Sequence, residues 1–298
     1  MSESSTPRIL GLVGSSRRLG NTEVLVTEVA RAAAGDDSAR VRLLRLSDLM
    51  LLPCTGCMAC ALRAGGPCPL DDDMEFLLAE MDAAEGLILG APTYSLLPPA
   101  PVKAWADRFI MAFGRRKACA PKPAVVVGVA GLEDWSRQLL PILNSVVMAY
   151  GYRLVDSLIA YAPSPGEVLL DPGNVARATA AGSRLRRAMT GEALRPSFGA
   201  GRCPVCGSDF FRFTPTGLEC PVCAARGELV AGVPTFPPSP AHRWEPAALS
   251  RHFHDWIRAT GPAYLKQRPA IKPLQHAYRA YRSWWIAPPR PTPAGTSQ

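Results

Sequence analysis

The chain has 298 residues, enough for one large domain or for a medium-sized domain with an appendage. Its hydrophobic content of 48% is ordinary for a globular protein, and no apolar run approaches the ~20 residues that span a bilayer. The formal net charge is +8, and much of it lies after Arg251. This charge is compatible with an anionic cofactor, an acidic partner protein or nucleic acid and does not choose among them.

Residues 1–8 are polar and lack the apolar core of a secretion signal, so we expect a cytoplasmic protein. In that reducing environment the nine cysteines predict metal or redox chemistry rather than a disulfide framework. Most of them lie in two groups. Cys119 stands alone and is expected to be a buried thiol without a function.

Short apolar runs alternate with helical patterns over the first two thirds of the chain. Strands are predicted at residues 9–13, 41–46, 86–90, 124–129 and 154–161. Helices are predicted after residue 21, up to residue 81, and at residues 103–109, 135–150 and 175–189. This alternation predicts an α/β fold with a doubly wound, five-stranded parallel sheet. The strand at 41–46 carries Arg42 and Arg45 among apolar residues, which is typical of an edge strand.

The first predicted strand ends in a loop rich in Gly, Ser and Arg, at residues 14–22, that leads into a helix. Free backbone amides and the helix dipole make such a junction a natural phosphate site. Ser15, Arg17, Asn21 and Thr22 offer further hydrogen-bond donors. The spacing matches neither the P-loop nor the dinucleotide-binding pattern. An ordinary capped helix start is the alternative interpretation.

The second predicted strand leads into a loop with four cysteines, Cys54, Cys57, Cys60 and Cys68. So short a loop cannot pair all four as disulfides without strain, whereas four thiolates around a compact centre suit an iron–sulfur cubane. The alternative is a cysteine-rich loop without a metal. The acidic run at 71–73 offers N-cap groups for the helix that follows.

Three loops follow predicted central strands, at residues 15–22, 92–95 and 130–131. In a doubly wound sheet the carboxyl ends of the strands meet at one crevice, which is where ligands bind. We therefore expect these loops to form one site, with the cysteine loop beside it.

These motifs, in this order over residues 8–190, resemble the NADPH-dependent FMN reductase family, and most of all its iron–sulfur flavoproteins. The matching motifs are Gly14-Ser15-x-Arg17-x-x-Gly20-Asn21-Thr22, the cysteine loop closing on Asp72-Asp73-Met74, Pro92-Thr93-Tyr94, and Lys103-x-x-x-Asp107-Arg108. The resemblance implies a flavodoxin-like fold that binds FMN.

The resemblance also implies roles for individual residues. It implies that the FMN phosphate is held by Ser15, Arg17, Gly20, Asn21 and Thr22. It implies that the isoalloxazine ring is wrapped by Pro92, Thr93, Tyr94 and Ser95, with Ala130 and Gly131 along its far edge. It implies that a [4Fe-4S] cluster is held by Cys54, Cys57, Cys60 and Cys68.

A second cysteine group lies further along the chain. Cys203, Cys206, Cys220 and Cys223 form two Cys-x-x-Cys knuckles separated by 13 residues. Two such knuckles complete a tetrahedral four-sulfur site. The pattern resembles a zinc ribbon and is similar to rubredoxin, which uses the same geometry for iron. We expect structural Zn²⁺ here, with iron as the alternative.

These patterns divide the chain into three parts. We expect an FMN-binding domain at 1–192, a four-cysteine zinc ribbon at 196–232 and a basic, proline-containing helical tail at 241–298, with a proline-rich linker at 233–240. Two apolar stripes of the tail are expected to dock on the protein or on a second subunit. The stripes are Leu249, Phe253, Trp256 and Ile257, and Leu274, Tyr278, Tyr281 and Trp285.

The expected function is that of an FMN oxidoreductase that passes electrons between NAD(P)H, or a reduced protein donor, and an acceptor through the cluster. The alternatives are an electron carrier that works with a ferredoxin-type partner, and a cluster-less NAD(P)H-dependent FMN reductase. A nucleic-acid-binding role ranks last because the basic residues are scattered, and no nucleic-acid partner is expected. We expect a homo-oligomer, either a dimer or a tetramer. No side chain stands out as a catalytic acid or base.

Overall fold

The computed structural model describes residues 8–36, 40–62, 66–113, 121–284 and 286. The chain divides into two compact units, Met1–Phe253 and His254–Gln298. The predictions for Cys119 and Trp285 lie outside the described residues.

The first unit is built on a five-stranded sheet in which every neighbouring pair is parallel. The strands are β1 (Ile9–Val13), β2 (Val41–Arg45), β3 (Gly86–Pro92), β4 (Pro123–Ala130) and β5 (Arg153–Tyr161). Their order is β2-β1-β3-β4-β5, the order of flavodoxin-like folds. β1 and β4 are buried along their whole length, whereas β2 is partly exposed at the edge of the sheet. The predicted fold is confirmed.

Seven helices among the described residues of this region connect and cover the strands. They are α1 (Asn21–Ala34), α2 (Ala59–Leu62), α3 (Met74–Ala83), α4 (Ala100–Ala106), α5 (Phe109–Phe113), α6 (Leu139–Ala149) and α7 (Pro172–Met189). α1 and α7 pack on one face of the sheet, and α3, α4 and α6 pack on the other. α1 and α7 approach closely at Gly182, where a Cβ atom would lie 2.3 Å from the carbonyl oxygen of Val29. Only glycine permits this approach.

Two predicted helices have different bounds in the structure. The helix expected at 135–150 begins at Leu139, so that Pro141 falls in its first turn, where a missing N–H costs nothing. The helix expected at 103–109 begins at Ala100 and ends at Ala106, and α5 starts at Phe109. The break between them falls at Asp107 and Arg108, and Arg108 is turned into the protein interior.

A second, antiparallel sheet follows α7. Its strands are β6 (Arg212–Thr214), β7 (Gly217–Glu219), β8 (Arg226–Val230) and β9 (Val233–Thr235), in that order. The predicted linker at 233–240 therefore begins with a strand. Pro234 is tolerated there because β9 lies at the edge of the sheet. Cys203, Cys220 and Ala225, which flank these strands, share the hydrophobic core of Tyr150 and Leu154, so the second sheet's region and the parallel sheet have a common core. Separate domains at 1–192 and 196–232 stay a prediction.

The rest of the chain is helical. It comprises α8 (Pro246–Arg251), a π-helical segment (His252–Ile257), α9 (Arg258–Ala277) and a 3₁₀ segment (Tyr278–Trp284). Leu249, Phe253 and Ile257 of the first predicted stripe are buried, whereas its fourth residue, Trp256, is exposed. Phe253 stacks on Phe113 at 4.5 Å between ring centroids. The described residues of the second stripe, Leu274, Tyr278 and Tyr281, are exposed. None of the helices among the described residues is long and apolar enough to cross a membrane.

Candidate functional site

The loop between β1 and α1 presents backbone amides at a helix start. Gly20 is the N-cap residue of α1 and adopts an extended conformation, and no side chain caps the first amides of the helix. Four N-terminal amides of a helix need outside partners, and a phosphate group satisfies them. Ser15 is buried in the loop, where its hydroxyl accepts a hydrogen bond from the N–H of Arg17 at 3.2 Å.

Arg45 fixes the shape of this loop. Its guanidinium donates to the carbonyl oxygens of Ser15 (2.9 Å) and Arg17 (3.0 Å) and to the carboxylate of Glu23 (2.7 Å). The hydrogen bond from Arg45 lowers the pKa of Glu23, which also accepts the N–H of Leu19 at 2.8 Å. Sequence reasoning treated Arg45 only as a polar residue of an edge strand. Arg45 is the last residue of β2 and pairs with Val13 at the end of β1. This position could have indicated that its side chain reaches the loop after β1.

The side chain of Asn21 is fully hydrogen-bonded within the protein. Both N–H groups of its side-chain amide donate within the protein, to the carbonyl oxygens of Ala162 (2.8 Å) and Ser164 (2.9 Å). Its side-chain oxygen accepts the N–H of Val168 at 3.2 Å. The side chain therefore ties α1 to the loop after β5 and has no donor left for a phosphate, although the backbone N–H at the helix start remains. The Arg17 side chain is exposed and makes no hydrogen bond or ion pair within the part of the chain that the structure describes.

The loop after β3 is a tight turn in a strained conformation. Tyr94 and Leu97 exchange backbone hydrogen bonds of 2.8 and 3.2 Å. The two central residues, Ser95 and Leu96, have φ angles of 49° and 74°, which non-glycine residues rarely adopt. Such strain persists where the surrounding structure enforces it, and it occurs often at ligand sites. The turn leaves the Tyr94 ring half-exposed at the edge of the sheet.

This edge of the sheet fits a flat ring that carries a phosphate. The N–H of Thr93 donates to Val129 at 2.8 Å and joins the ends of β3 and β4, and the buried Thr93 hydroxyl has no hydrogen-bond partner among the described residues. Ala130 is buried at the end of β4, and the next residue, Gly131, is exposed. Exposed apolar side chains stand on the same loops, at Tyr94, Leu96, Leu132 and Trp135. Uncapped amides, an unpartnered hydroxyl and exposed apolar groups are what FMN binding needs.

The four cysteines of the first group line one pocket. Cys54 and Cys57 are exposed, and Cys60 and Cys68 are half-buried. Burial, and next the neighbouring thiols of Cys68, Cys54 and Cys57, raise the pKa of Cys60. The N–H of Ala59 lowers the pKa of Cys57. Four thiols that line one pocket are a suitable ligand set for a cationic centre.

A buried ion pair supports this pocket. The carboxylate of Asp72 and the guanidinium of Arg108 are 1% and 2% exposed and bond directly to each other. Burial opposes ionisation of Asp72, but Arg108 and the N–H groups of Leu52 and Met74 outweigh it, so the pKa of Asp72 is lowered. Arg108 also lines the cysteine pocket, and its Nε and Nη2 atoms are buried without a hydrogen-bond partner among the described residues.

The acidic run at 71–73 differs from its predicted role as a simple helix cap. Asp73 occupies the N-cap position of α3, but its carboxylate accepts the N–H of Met50 at 2.7 Å. Asp72 accepts the N–H of Leu52 at 2.8 Å and that of Met74 at 3.2 Å. These bonds join the two ends of the cysteine loop to each other.

The second cysteine group is buried and compact. The Sγ atoms of Cys203, Cys206, Cys220 and Cys223 all lie within 4.8 Å of one another. Each knuckle turns through a left-handed residue, Gly207 at φ 74° and Ala224 at φ 64°. The N–H of Gly207 donates to the carbonyl oxygen of Cys203, and that of Ala224 to Cys220. Ala224 thus adopts the turn despite its Cβ atom. Four converging thiols are a donor set that can hold a metal ion.

Residues 7–157 match the sequence profile of the family described as NADPH-dependent FMN reductase. The chain belongs to the NADPH-dependent FMN reductase family. This confirms the family predicted from the sequence. Iron–sulfur flavoproteins of Methanocaldococcus jannaschii and Methanosarcina thermophila are 38% and 32% identical to this FMN reductase-family protein over 101 and 131 residues. Those alignments cover 34% and 44% of the chain, and 51% and 67% of the relatives.

Two further proteins resemble the FMN reductase-family chain over a longer stretch. A flavone synthase of Aspergillus candidus is 27% identical over 261 residues, which is 76% of the chain and 79% of that protein. The solved structure of a flavone reductase is 20% identical in sequence and superimposes with a TM-score of 0.64. The superposition covers 96% of the present chain and 100% of the flavone reductase chain. This fold therefore includes the region after the parallel sheet.

Proposed function

We propose that this protein transfers electrons between NAD(P)H, or a reduced protein donor, and an acceptor, with FMN at the ends of β1, β3 and β4 and a [4Fe-4S] cluster in the Cys54–Cys68 pocket. One observation carries the proposal. The loop of residues 14–20, to which we assign the phosphate, follows β1, and the loop with Cys54, Cys57, Cys60 and Cys68 follows β2. Because β1 and β2 are parallel neighbours, both loops lie at the same edge of the sheet.

FMN, when bound, accepts electrons in pairs and releases them singly, which allows exchange with a one-electron cluster. The protein supplies the binding groups. In this proposal the amides of α1, Ser15 and Arg17 hold the phosphate, and Arg45 keeps the loop in place. The Thr93 hydroxyl and the turn at 94–97 contact the ring. The four cysteines would hold the cluster, and Arg108, which lines the same pocket, would supply hydrogen-bond donors beside it.

The four buried cysteines are proposed to hold structural Zn²⁺, with iron of the rubredoxin type as the alternative. Homo-oligomer formation, a cytoplasmic location and the absence of a nucleic-acid partner stay predictions.

The first experiment is an absorption spectrum of anaerobically purified protein, with iron, sulfide and zinc assayed on the same sample. FMN bands over a broad cluster absorbance, with about four irons and one zinc per chain, are expected. Bleaching by NADPH or NADH then supports an enzyme. Bleaching by reduced ferredoxin alone supports an electron carrier. FMN bands with zinc and no iron contradict the cluster and leave a plain FMN reductase.

Cys57→Ala is expected to lose the cluster absorbance and most of the iron while it keeps FMN at one per chain. The reason is that Cys57 is exposed in the loop and supports no core packing, so its loss removes a ligand without unfolding the sheet. Iron content and FMN content are measured together. The control is Leu62→Ala at the end of α2, which is also exposed and offers no ligand. Full iron in Cys57→Ala would refute the ligand assignment.

Arg17→Gln is expected to weaken FMN binding about tenfold, the value of one hydrogen bond to a charged group. The Arg17 side chain has no partner within the described residues, so its charge is available to the phosphate. Titration of the apoprotein with FMN, followed by flavin fluorescence, measures the dissociation constant. Arg18→Gln is the matched control, since Arg18 lies 3.9 Å from the carboxylate of Asp48. Equal weakening of FMN binding in both variants would mean that the two arginines act only through the overall positive charge of the loop.

A second candidate concerns the acceptor. The flavone synthase covers most of the chain, whereas the iron–sulfur flavoproteins match only its first part. Tyr94, Leu96 and Trp135 provide exposed apolar surface at the edge of the sheet where the ring would stack. The acceptor would then be a flat compound of the flavone class. In this reaction NAD(P)H and a proton would reduce the carbon–carbon double bond of the flavone, and the products would be NAD(P)⁺ and a flavanone. Anaerobic incubation with flavone and chromatography of the product tests this, and flavone left unchanged would exclude it.

A further inference from the structure

A cavity lies at the edge of the parallel sheet opposite to the proposed flavin site. Its volume is about 430 Å³, within the range of small-molecule sites. Gly151, Tyr152, Arg153 and Leu154 line it at the beginning of β5, whereas the flavin loops follow the ends of the strands. β5 has nine residues, so the two edges are about 30 Å apart at ~3.3 Å per residue. The cavity is therefore not a part of the flavin crevice.

The other walls come from the region after α7. Pro204 and Val205 of the first cysteine knuckle and eight of the residues from Pro238 to Leu249 line the cavity on these sides. A chain that ended with the parallel sheet would lack these walls. The cavity therefore depends on the part of the sequence that the FMN reductase profile does not match.

Two ring side chains form part of the lining of this cavity. The indole Nε1 of Trp244 and the Nδ1 of His242 lie beneath the surface and have no hydrogen-bond partner in the part of the chain that the structure describes. Burial lowers the pKa of His242, which favours its neutral form. These rings therefore offer flat surface to a ligand, and the charge of the lining comes from other residues.

Two arginines in the lining have no carboxylate partner among the described residues. Arg153 donates to the carbonyl oxygen of Leu194 at 2.9 Å, and Arg195 donates to the hydroxyl of Ser239 at 2.7 Å. Burial lowers the pKa of Arg153. Glu245 is the one carboxylate among the described lining residues, and its charge acts on His242. The lining therefore keeps an excess of positive charge and donors.

The remaining lining is apolar and rigid. Met148, Leu154, Val205 and Leu249 contribute aliphatic surface, and six prolines add surface without amide donors. From these observations we infer that the cavity binds a small aromatic carboxylate, whose ring packs on the apolar walls and whose carboxylate accepts hydrogen bonds from Arg195 and Arg153. A ligand that suits this lining carries a negatively charged hydrogen-bond acceptor on a flat apolar body. An aromatic carboxylate has both features.

The test uses the full-length, FMN-loaded protein and 2-naphthoate as the probe, with binding measured by calorimetry. Saturable binding of one naphthoate per chain is expected, and naphthalene-2-carboxamide, which has the same shape without the charge, is expected to bind about tenfold more weakly. Inorganic phosphate is expected not to compete. No saturable binding of naphthoate at millimolar concentration overturns the inference, and so does equal binding of the amide.

Two variants locate the probe. Arg195→Gln is expected to weaken naphthoate binding about tenfold, and Arg153→Gln, which removes the other cation of the lining, to weaken it several-fold. The control is Arg243→Gln, because Arg243 lies between the lining residues His242 and Trp244 in the sequence, is exposed and does not line the cavity. FMN content and circular dichroism show whether each variant is folded. If Arg195→Gln does not fold, Arg153→Gln decides, and unchanged affinity in the folded variant overturns the inference.

Discussion

Serine in place of Cys220 is expected to release the metal of the second cysteine group and to lower the melting temperature by about 10 °C or more. Metal binding at a structural four-sulfur site is folding free energy, of order 10 kcal/mol in isolated zinc peptides. A loss of about half of this in a protein of this size corresponds to roughly 10–20 °C, since 1 kcal/mol shifts the melting temperature by about 2–4 °C.

The loss of stability in Cys220→Ser should extend beyond the small antiparallel sheet. The side-chain amide of Asn144 on α6 donates to the carbonyl oxygen of Cys206 at 3.0 Å. The hydroxyl of Ser157 on β5 donates to the side-chain oxygen of Asn144 at 2.9 Å. The first knuckle is thus joined to both a helix and a strand of the parallel sheet. We therefore expect the melting of both sheets to shift together.

Calorimetry and a metal assay measure this effect on one sample. The control is Cys54→Ser, which removes a thiol that is exposed in the first cysteine loop, and its melting temperature should change much less. The assay on the wild-type protein also decides between zinc and iron. A Cys220→Ser variant that releases its metal and melts at the wild-type temperature would show that the metal is not structural.

The fold could be predicted from the sequence because its determinants are local. The apolar runs of β1, β3 and β4 predict strands covered on both faces, and the two arginines of β2 predict an edge strand. The two cysteine knuckles could be predicted for the same reason, since each is a turn of a few residues. The helix bounds were less accurate because Pro141 and the break after Ala106 depend on packing.

Contacts between distant segments could not be predicted. Arg45 and the phosphate loop are 28 and 30 residues apart, and Asn21 bonds to residues more than 140 positions away. A periodic pattern shows which face of an element is buried but not which distant carbonyl a side chain reaches. The cavity at the beginning of β5 could not be predicted for a related reason, because its walls come from five separate stretches of chain.

Breaking the ion pair of Asp72 and Arg108 is the second large effect, and Arg108→Met is expected to destabilise the protein by about 3–5 kcal/mol. Both side chains are almost fully buried, so removal of the arginine leaves a carboxylate without its counter-charge. Asp72 also accepts the N–H groups of Leu52 and Met74, so the cysteine loop loses part of its support. We expect iron content to fall in this variant as well.

Chemical unfolding measures the free energy, and the neighbouring pair provides the control. Lys103 and Asp107 also bond directly, but their side chains are 70% and 44% exposed. Asp107→Asn should therefore cost less than about 0.5 kcal/mol. The double variant Asp72→Asn with Arg108→Met should be more stable than Arg108→Met alone, because it leaves no unpaired charge in the interior.

The pH dependence of the pair distinguishes an electrostatic role from one in packing. The pKa of Asp72 is lowered from its model-peptide value, because the hydrogen bonds outweigh the cost of burial. A carboxyl group with a depressed pKa in the folded state contributes stability above its unfolded pKa, about 3.9, and loses it as the pH falls through the folded value. The stability difference between the wild-type protein and Asp72→Asn should therefore be constant near neutral pH and shrink below about pH 4. A difference that stayed constant into that acid range would assign the effect to side-chain packing instead of charge.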